Sequence, residues 1–474
     1  ELGVWSSLVG LAVHENADVA AAALTAAADM LDVDECLKAG RCPLARRVLE
    51  DGAAPVLALN LFRFQGGDEE DEAGVGATLA LFEALLDLAN AGLLPPVPPL
   101  LLETPLPSFL LSRIAAPPRE TPAQHESNRL QCAELLSELS LAASADPALA
   151  EAFVLSALPA HESLAKSGAY EPKAGTLDGV ELILVSLAAY RAKDPATAQK
   201  VELVENLFAV LEASLLLAQP AVAAAFDKAE AVPLLLMMAR SGLHCGAGAL
   251  RVLAAAVTTP GRASEVVKGG GIKSAFAVFM QARGKAPRPA KCTAAGRELP
   301  KDRASKAHRR AAGERRAWAR AVEAAAVNVL YALSRNLSAA SPDDALARFV
   351  GKFTEGEGDK CDRLVELALK YDERARAAEL KFLRSEEADE VEEEDVAMLA
   401  LSAKLGGGGD LFHRLGAVAA LVCSESKSCH ARILEQLRTL GSGITLVRDA
   451  VKEFGSLLDE GEEKSRLEGL LENI

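Results

Sequence analysis

The sequence predicts an all-α protein, and three observations carry that expectation. In the stretch VENLFAVLEASLLL, residues Val204, Leu207, Phe208, Leu211 and Leu215 recur at helical spacing, a stripe that must face a core. Pro220 then breaks the pattern. Pro233 opens another apolar helix ending near Gly242, and Gly246 and Gly248 precede an amphipathic helix from Ala249 to Val257. Helix, turn and helix thus repeat at roughly forty-residue spacing, and one such unit buries its apolar face only against similar neighbours. Finally, aromatics make up only 4% of the chain while Ala and Leu dominate, and alternating β-type runs bounded by Asn-Gly turns are nearly absent. The expected architecture is an armadillo/HEAT-like right-handed superhelical solenoid over residues 1–340, closed by a helical C-terminal cap domain over 341–474.

Each unit follows from local pattern. Leu2, Trp5, Leu8 and Val9 predict a short helix, His14–Asn16 a polar turn, and Asp18–Leu31 a second, Ala-rich helix. Cys36, Gly40, Cys42 and Pro43 read as a linker. A helix to Leu49, an Asp51-Gly52 turn and a helix opened by Pro55 follow. After an acidic turn comes a long helix from Ala73 to Asn90. Prolines crowd the stretch 93–107, which reads as an inter-repeat loop with leucines tucked against the core. A polyproline-type ligand is the other reading. Helices are expected at Ser108–Ile114, His125–Ala143 and Val180–Tyr190, with a loop around Pro159–Thr176 and an Asp194-Pro195 cap before the central helix. A helix at Ala263–Lys268 meets Gly269, Gly270 and Gly271, and Ile272–Gln281 resumes. A basic insertion, 283–316, reads as flexible, with nuclear import or docking onto the chain itself as uses; contact with RNA or an acidic partner is the other reading. Beyond the helix Ala317–Leu337 come a helix at Cys361–Arg374, the acid run Glu386–Asp395, a break at Gly406–Gly409, and three or four helices to Ile474.

The chain carries a formal charge of −16. That sign disfavours nonspecific nucleic-acid binding, and the lack of interleaved aromatics argues against sequence-specific readout; a basic partner is favoured. Eight cysteines without regular spacing are expected to be reduced thiols. No apolar run is long enough to span a bilayer, so no membrane partner is expected. The chain opens inside what reads as a helix, so a preceding segment is expected.

No catalytic motif is present, and neither metal nor cofactor is implied. The run from Gly269 to Ser274 has the flavour of a phosphate loop, but its spacing is wrong and no strand precedes it; it reads as a helix–helix turn. His413, Cys423, Cys429 and His430 lack paired metal-ligand spacing and read as core residues. The physically motivated site is the concave surface lined by the last helix of each repeat. Those helices carry Glu83, Asp87 and Asn90, then Glu134 and Glu138, then Glu205, Asn206 and Glu212, then Glu323 and Asn328. Amide side chains hold an extended peptide's backbone, and carboxylates attract its Lys and Arg. Taken singly, each is also what an ordinary exposed polar position looks like.

The stretch KFTEGEGDKCDRLVELALKY (Lys352–Tyr371) resembles the β-catenin-like protein 1 family. So do HENADVA (His14–Ala20), VENLF (Val204–Phe208), GIKSAFAVFM (Gly271–Met280) and GLLENI (Gly469–Ile474), in the family's order. The resemblance implies an armadillo-type fold with a distinct helical C-terminal region, and a nuclear, non-enzymatic scaffold associated with the spliceosome's Nineteen complex. It also implies binding of basic nuclear-localisation-type segments of splicing factors, including a Myb-related core subunit. The Pro-rich stretch 93–107 and the basic insertion depart from the family pattern, and the family's charged N-terminal tail has no counterpart here. An importin-α-like transport adaptor is the alternative, but it calls for regularly spaced Trp-Asn pairs, and the two tryptophans are Trp5 and Trp318. Self-association is a further contact the sequence leaves open.

Overall fold

The structure is a computed structural model, and it describes residues 2–64, 68–115, 123–156, 178–217, 219–281, 301–385 and 392–474. Every regular element among them is helical. Two compact units divide the chain, one spanning Glu1–Leu234 and the other covering Leu235–Pro289 and Thr293–Ile474. The expected division at residue 340 falls inside the second unit.

The first unit opens with α1 (Leu2–Ala12), α2 (Ala17–Asp29), α3 (Val33–Ala39), α4 (Pro43–Glu50) and α5 (Ala53–Asn60). Asn16 caps α2 by accepting from the amides of Asp18 and Val19. The helix α3 was not foreseen. Asp32 caps it from the front and Gly40 closes it in the left-handed conformation, so the supposed linker carries a start and a stop signal. Next come α6 (Glu69–Asn90), α7 (Pro98–Leu102), α8 (Leu106–Ala115), α9 (Ala123–Ser144) and α10 (Pro147–Ser156). The Pro-rich stretch is more regular than expected: Pro98 and Pro99 occupy the first turn of α7, where no amide is needed, and Leu94, Leu101, Leu102 and Leu106 are buried as anticipated. The unit continues with α11 (Gly179–Ala188), α12 (Ala198–Leu216) and α13 (Pro220–Lys228). Thr197, not Asp194-Pro195, caps α12. The apolar stripe of α12 is buried throughout, with Val204, Leu207 and Phe208 at 0% exposure.

One buried cluster locks α6 to α8 and α9. Glu72, in the turn read from sequence as an acidic loop, is 2% exposed. Its carboxylate accepts from Arg113, from His125 Nδ1 at 2.9 Å and from Asn128 Nδ2 at 2.7 Å. Burial pushes this carboxyl up in pKa, but its cationic and amide partners overcome that and hold it below the usual carboxylate value. Asp68 caps α6 and moves its start to Glu69, four residues earlier than the apolar pattern suggests.

The second unit holds α14 (Ala231–Arg240, its first turn in the first unit), α15 (Gly246–Ala256), α16 (Pro260–Lys268), α17 (Gly271–Gln281) and α18 (Lys301–Asn336). Helix α18 starts well before the expected Ala317, because Ala, Arg, Lys and Glu in this part of the insertion are strong helix formers. Residues 283–300 of that insertion, and the side chains of 301–316, lie outside the described residues, as do the expected loop around 159–176 and most of the acid run, 386–391. Gly269–Gly271 is the helix–helix turn anticipated. A Cβ on Gly271 would lie 2.3 Å from Val266 Cγ1, so α16 and α17 meet only through glycine.

Helices α19 (Ala345–Thr354), α20 (Asp359–Leu383), α21 (Glu393–Lys404), α22 (Asp410–Glu425), α23 (Lys427–Thr439), α24 (Thr445–Ser456) and α25 (Glu462–Glu472) complete it. Helix α20 is longer than expected at both ends. Glu323 of α18 is buried and accepts from Arg363 at 2.8 Å, from Tyr371 at 2.9 Å and from Lys370, pinning α18 to α20. The expected break at Gly406–Gly409 is a widened helical turn that runs into α22. Gly408 sits at φ +128°, and a Cβ there would lie 2.7 Å from the Tyr371 ring, so the glycines admit close packing rather than end the helix. All seven cysteines among the described residues are free thiols.

Candidate acidic peptide groove

Helices α6, α9 and α12 are the closing helices of three successive repeats in the first unit, and each packs along the next. Their apolar faces fill the core, which leaves the intervening polar positions side by side. Glu83 and Asp87 lie one turn apart on α6, Glu134 and Glu138 one turn apart on α9. The structure brings these four together. Loss of hydration raises the pKa of Glu134, and Glu202, Glu83 and Glu138 raise it further. Desolvation likewise raises Glu138, with Asp87 and Glu83 adding their repulsion. Glu83 also accepts from Gln131 Nε2 at 2.7 Å, which fixes its orientation between the two helices.

Glu202 is the member that sequence reasoning missed. It lies four residues before Asn206, one turn back on the same face, so the i, i+4 step from a residue already singled out was the signal for it. Asn206 is half-buried, and its Nδ2 is shielded from water with no acceptor among the described residues. A buried amide donor without a partner is costly, and a carbonyl of an extended peptide would satisfy it. Glu205 and Glu212 are half-buried on α12 and engage neighbours of their own. Asn90 is exposed at the last turn of α6.

Asn328 is placed differently. It belongs to α18 in the second unit, where its Oδ1 accepts from Arg414 of α22. Glu323, one and a half turns earlier, is consumed by its own buried cluster. The acidic row is therefore a feature of the first unit.

Other candidates from the sequence are accounted for by packing. His413 is buried and stacks on Phe454, with ring centroids 5.6 Å apart and Glu453 3.5 Å from its Nε2; burial holds its pKa below the ordinary value. Cys423 and Cys429 are buried, and burial pushes the Cys423 thiol up to about 12. Among the described residues no group of three or more His, Cys, Asp or Glu is arranged to hold a metal, and no helix is long and apolar enough to cross a membrane.

Residues 1–452 match the family described as Catenin-beta-like, Arm-motif containing nuclear. Beta-catenin-like protein 1 of Rattus norvegicus and that of Homo sapiens are each 26% identical over 500 aligned positions, covering 100% of this chain and 76% of the relative. The Beta-catenin-like protein 1 homolog of Schizosaccharomyces pombe is 27% identical over 59% of this chain and 44% of the relative. Helices, repeats and family match agree, and the chain belongs to the catenin-beta-like family of Arm-motif nuclear proteins.

Proposed function

We propose that this chain is a non-enzymatic armadillo scaffold of the nucleus that holds basic, nuclear-localisation-type segments of spliceosomal proteins in the acidic row of α6, α9 and α12. The observation that carries the reading is the gathering of Glu83, Asp87, Glu134, Glu138 and Glu202, where lost hydration first, and then repulsion between these neighbours, raises the pKa of Glu134 and Glu138. Packing alone gives no reason to gather five carboxylates that pair with no cation among the described residues. A Lys/Arg-rich segment laid across them relieves the repulsion and gains charge-assisted hydrogen bonds, while Asn206 offers its idle amide to the segment's backbone. The expected partners are subunits of the Nineteen complex, including a Myb-related splicing factor. An importin-α-like adaptor is less well supported: Trp5 is a core residue rather than a groove residue.

The test is fluorescence anisotropy of a labelled Lys/Arg-rich peptide with the whole chain. Affinity is expected to fall steeply with salt, and the double reversal E134K/E138K is expected to weaken it about a hundredfold, two charge pairs at roughly a factor of ten each. Unchanged affinity in that variant refutes the groove.

A further inference from the structure

The second unit carries a cavity of the opposite sign. It measures about 430 Å³ and opens where the turn Gly269–Gly270 meets the ends of α14 and α16. Leu243, Leu250, Val278, Val322 and Trp318 form apolar walls, and three cations, Arg240, Lys268 and Lys273, stand at the rim. Small residues of α15 and α17, Gly246, Ala247 and Ala277 among them, line the cavity opposite Trp318 and Val322 of α18.

Among the described residues, two of the three cations are not spent on the fold's own acids. Arg240 is held by neutral groups: its Nε donates to Ser274 Oγ at 2.7 Å and its Nη2 to the Gly269 carbonyl. Gly270, at φ +81°, leaves room for this guanidinium, since a Cβ there would lie 2.7 Å from Arg240 Nη2. Lys273 is exposed. Among the described residues no carboxylate pairs with Arg240 or Lys273; Lys268 alone has one, Asp343, on the surface. In a chain of net charge −16, two such cations beside an apolar cavity are unexpected. Trp318 adds a second, independent observation, for its indole Nε1 is buried with no acceptor among the described residues.

We infer that this cavity is a second docking site, for an acidic peptide segment that inserts one large apolar side chain. The walls suit a hydrophobic anchor, and a pocket of this size holds one with room for backbone. The rim cations are spread over the ends of two helices and the first turn of a third. That spacing matches carboxylates distributed along a chain better than a single small anion. A nucleic acid would want several stacking faces, and among the described residues Trp318 is the one aromatic in the walls. The site is independent of the acidic row and stands whether or not that row takes a basic peptide.

The test uses the full chain and a fluorescein-labelled decapeptide of aspartates and glutamates around one central phenylalanine. Saturable binding is expected, with about a tenfold loss when the phenylalanine is replaced by alanine. About a tenfold loss is also expected in K273E, where a surface cation becomes an anion. R240Q removes the charge, and its shorter amide reaches Ser274 but not the Gly269 carbonyl; it is expected to weaken binding in the same direction. Thermal melts of both variants establish that they fold. The inference is overturned if the alanine peptide binds as well as the phenylalanine one, if K273E and R240Q both bind undiminished, or if inorganic phosphate or single-stranded RNA displaces the peptide completely.

Discussion

Removing the Glu72 carboxylate is the sharpest test of how the first unit is held together. Glu72→Ala leaves the Arg113 guanidinium, whose side chain is 15% exposed, without its counter-ion. It also removes the carboxylate acceptor of buried His125 and one of the two acceptors of Asn128 Nδ2, which keeps the Glu72 backbone carbonyl. Breaking one side of a buried pair typically costs about 3–5 kcal/mol. For a unit of this size each kcal/mol moves the melting temperature by about 2–4 °C, so a fall of roughly 6–20 °C is expected at neutral pH. Glu72→Gln preserves shape and acceptor but not charge, and is expected to cost about 1–2 kcal/mol. The effect has a pH signature. Because the folded pKa is lowered below the ordinary 4.5, the carboxylate contributes its full stability above that value and loses it as pH falls further. Parent and Glu72→Ala should therefore converge on acidification. Differential scanning calorimetry across that range checks it. A neutral-pH melt of Glu72→Ala within about 2 °C of the parent would refute the argument that this cluster anchors α6 to α8 and α9.

Three further outcomes are expected. Glu138→Gln removes one carboxylate from a self-repelling row, so it should raise stability by up to about 0.5 kcal/mol in urea titration while weakening the basic peptide; a variant that is both less stable and equally good at binding contradicts the groove. Protonation of Glu134 and Glu138 stabilises the fold below their raised pKa values and is lost as pH rises through them, and it opposes cation binding. Anisotropy titrations stepped down from neutral pH should accordingly show affinity beginning to fall at a higher pH than ordinary glutamates would give. Gly408→Ala forces a side chain into φ +128° and against Tyr371, and should cost about 1–3 kcal/mol, read as a lowered urea midpoint; no change would mean the widened turn relaxes freely.

The acidic row shows where sequence reading succeeds and stops. Glu83, Asp87, Glu134 and Glu138 are identifiable because each falls off the apolar stripe of a helix that closes a repeat, and repeats stack equivalent helices side by side. Glu202 escapes notice because an exposed glutamate near a helix start is ordinary until its neighbour on the next helix is known. Asn328 looks equivalent to Asn206 in spacing, yet Arg414, more than eighty positions away in the chain, claims it. Pairings over such separations leave no local trace.

The same division holds for the fold. Apolar periodicity, caps and prolines specify locally where helices lie, and the absence of β patterning specifies what they pack against, so the all-α repeat architecture was determined by sequence alone. Glycine-rich and acidic segments were not, because the same residues serve loops and close contacts. Gly406–Gly409 reads as a break, but the Tyr371 ring turns it into a tightly packed helical bend. Glu72 reads as part of a solvated turn, and it becomes a buried anchor only because α8 and α9 bring Arg113, His125 and Asn128 to it. Whether a charge faces water or a counter-ion is set by what the rest of the chain delivers to it, and only tertiary structure decides that.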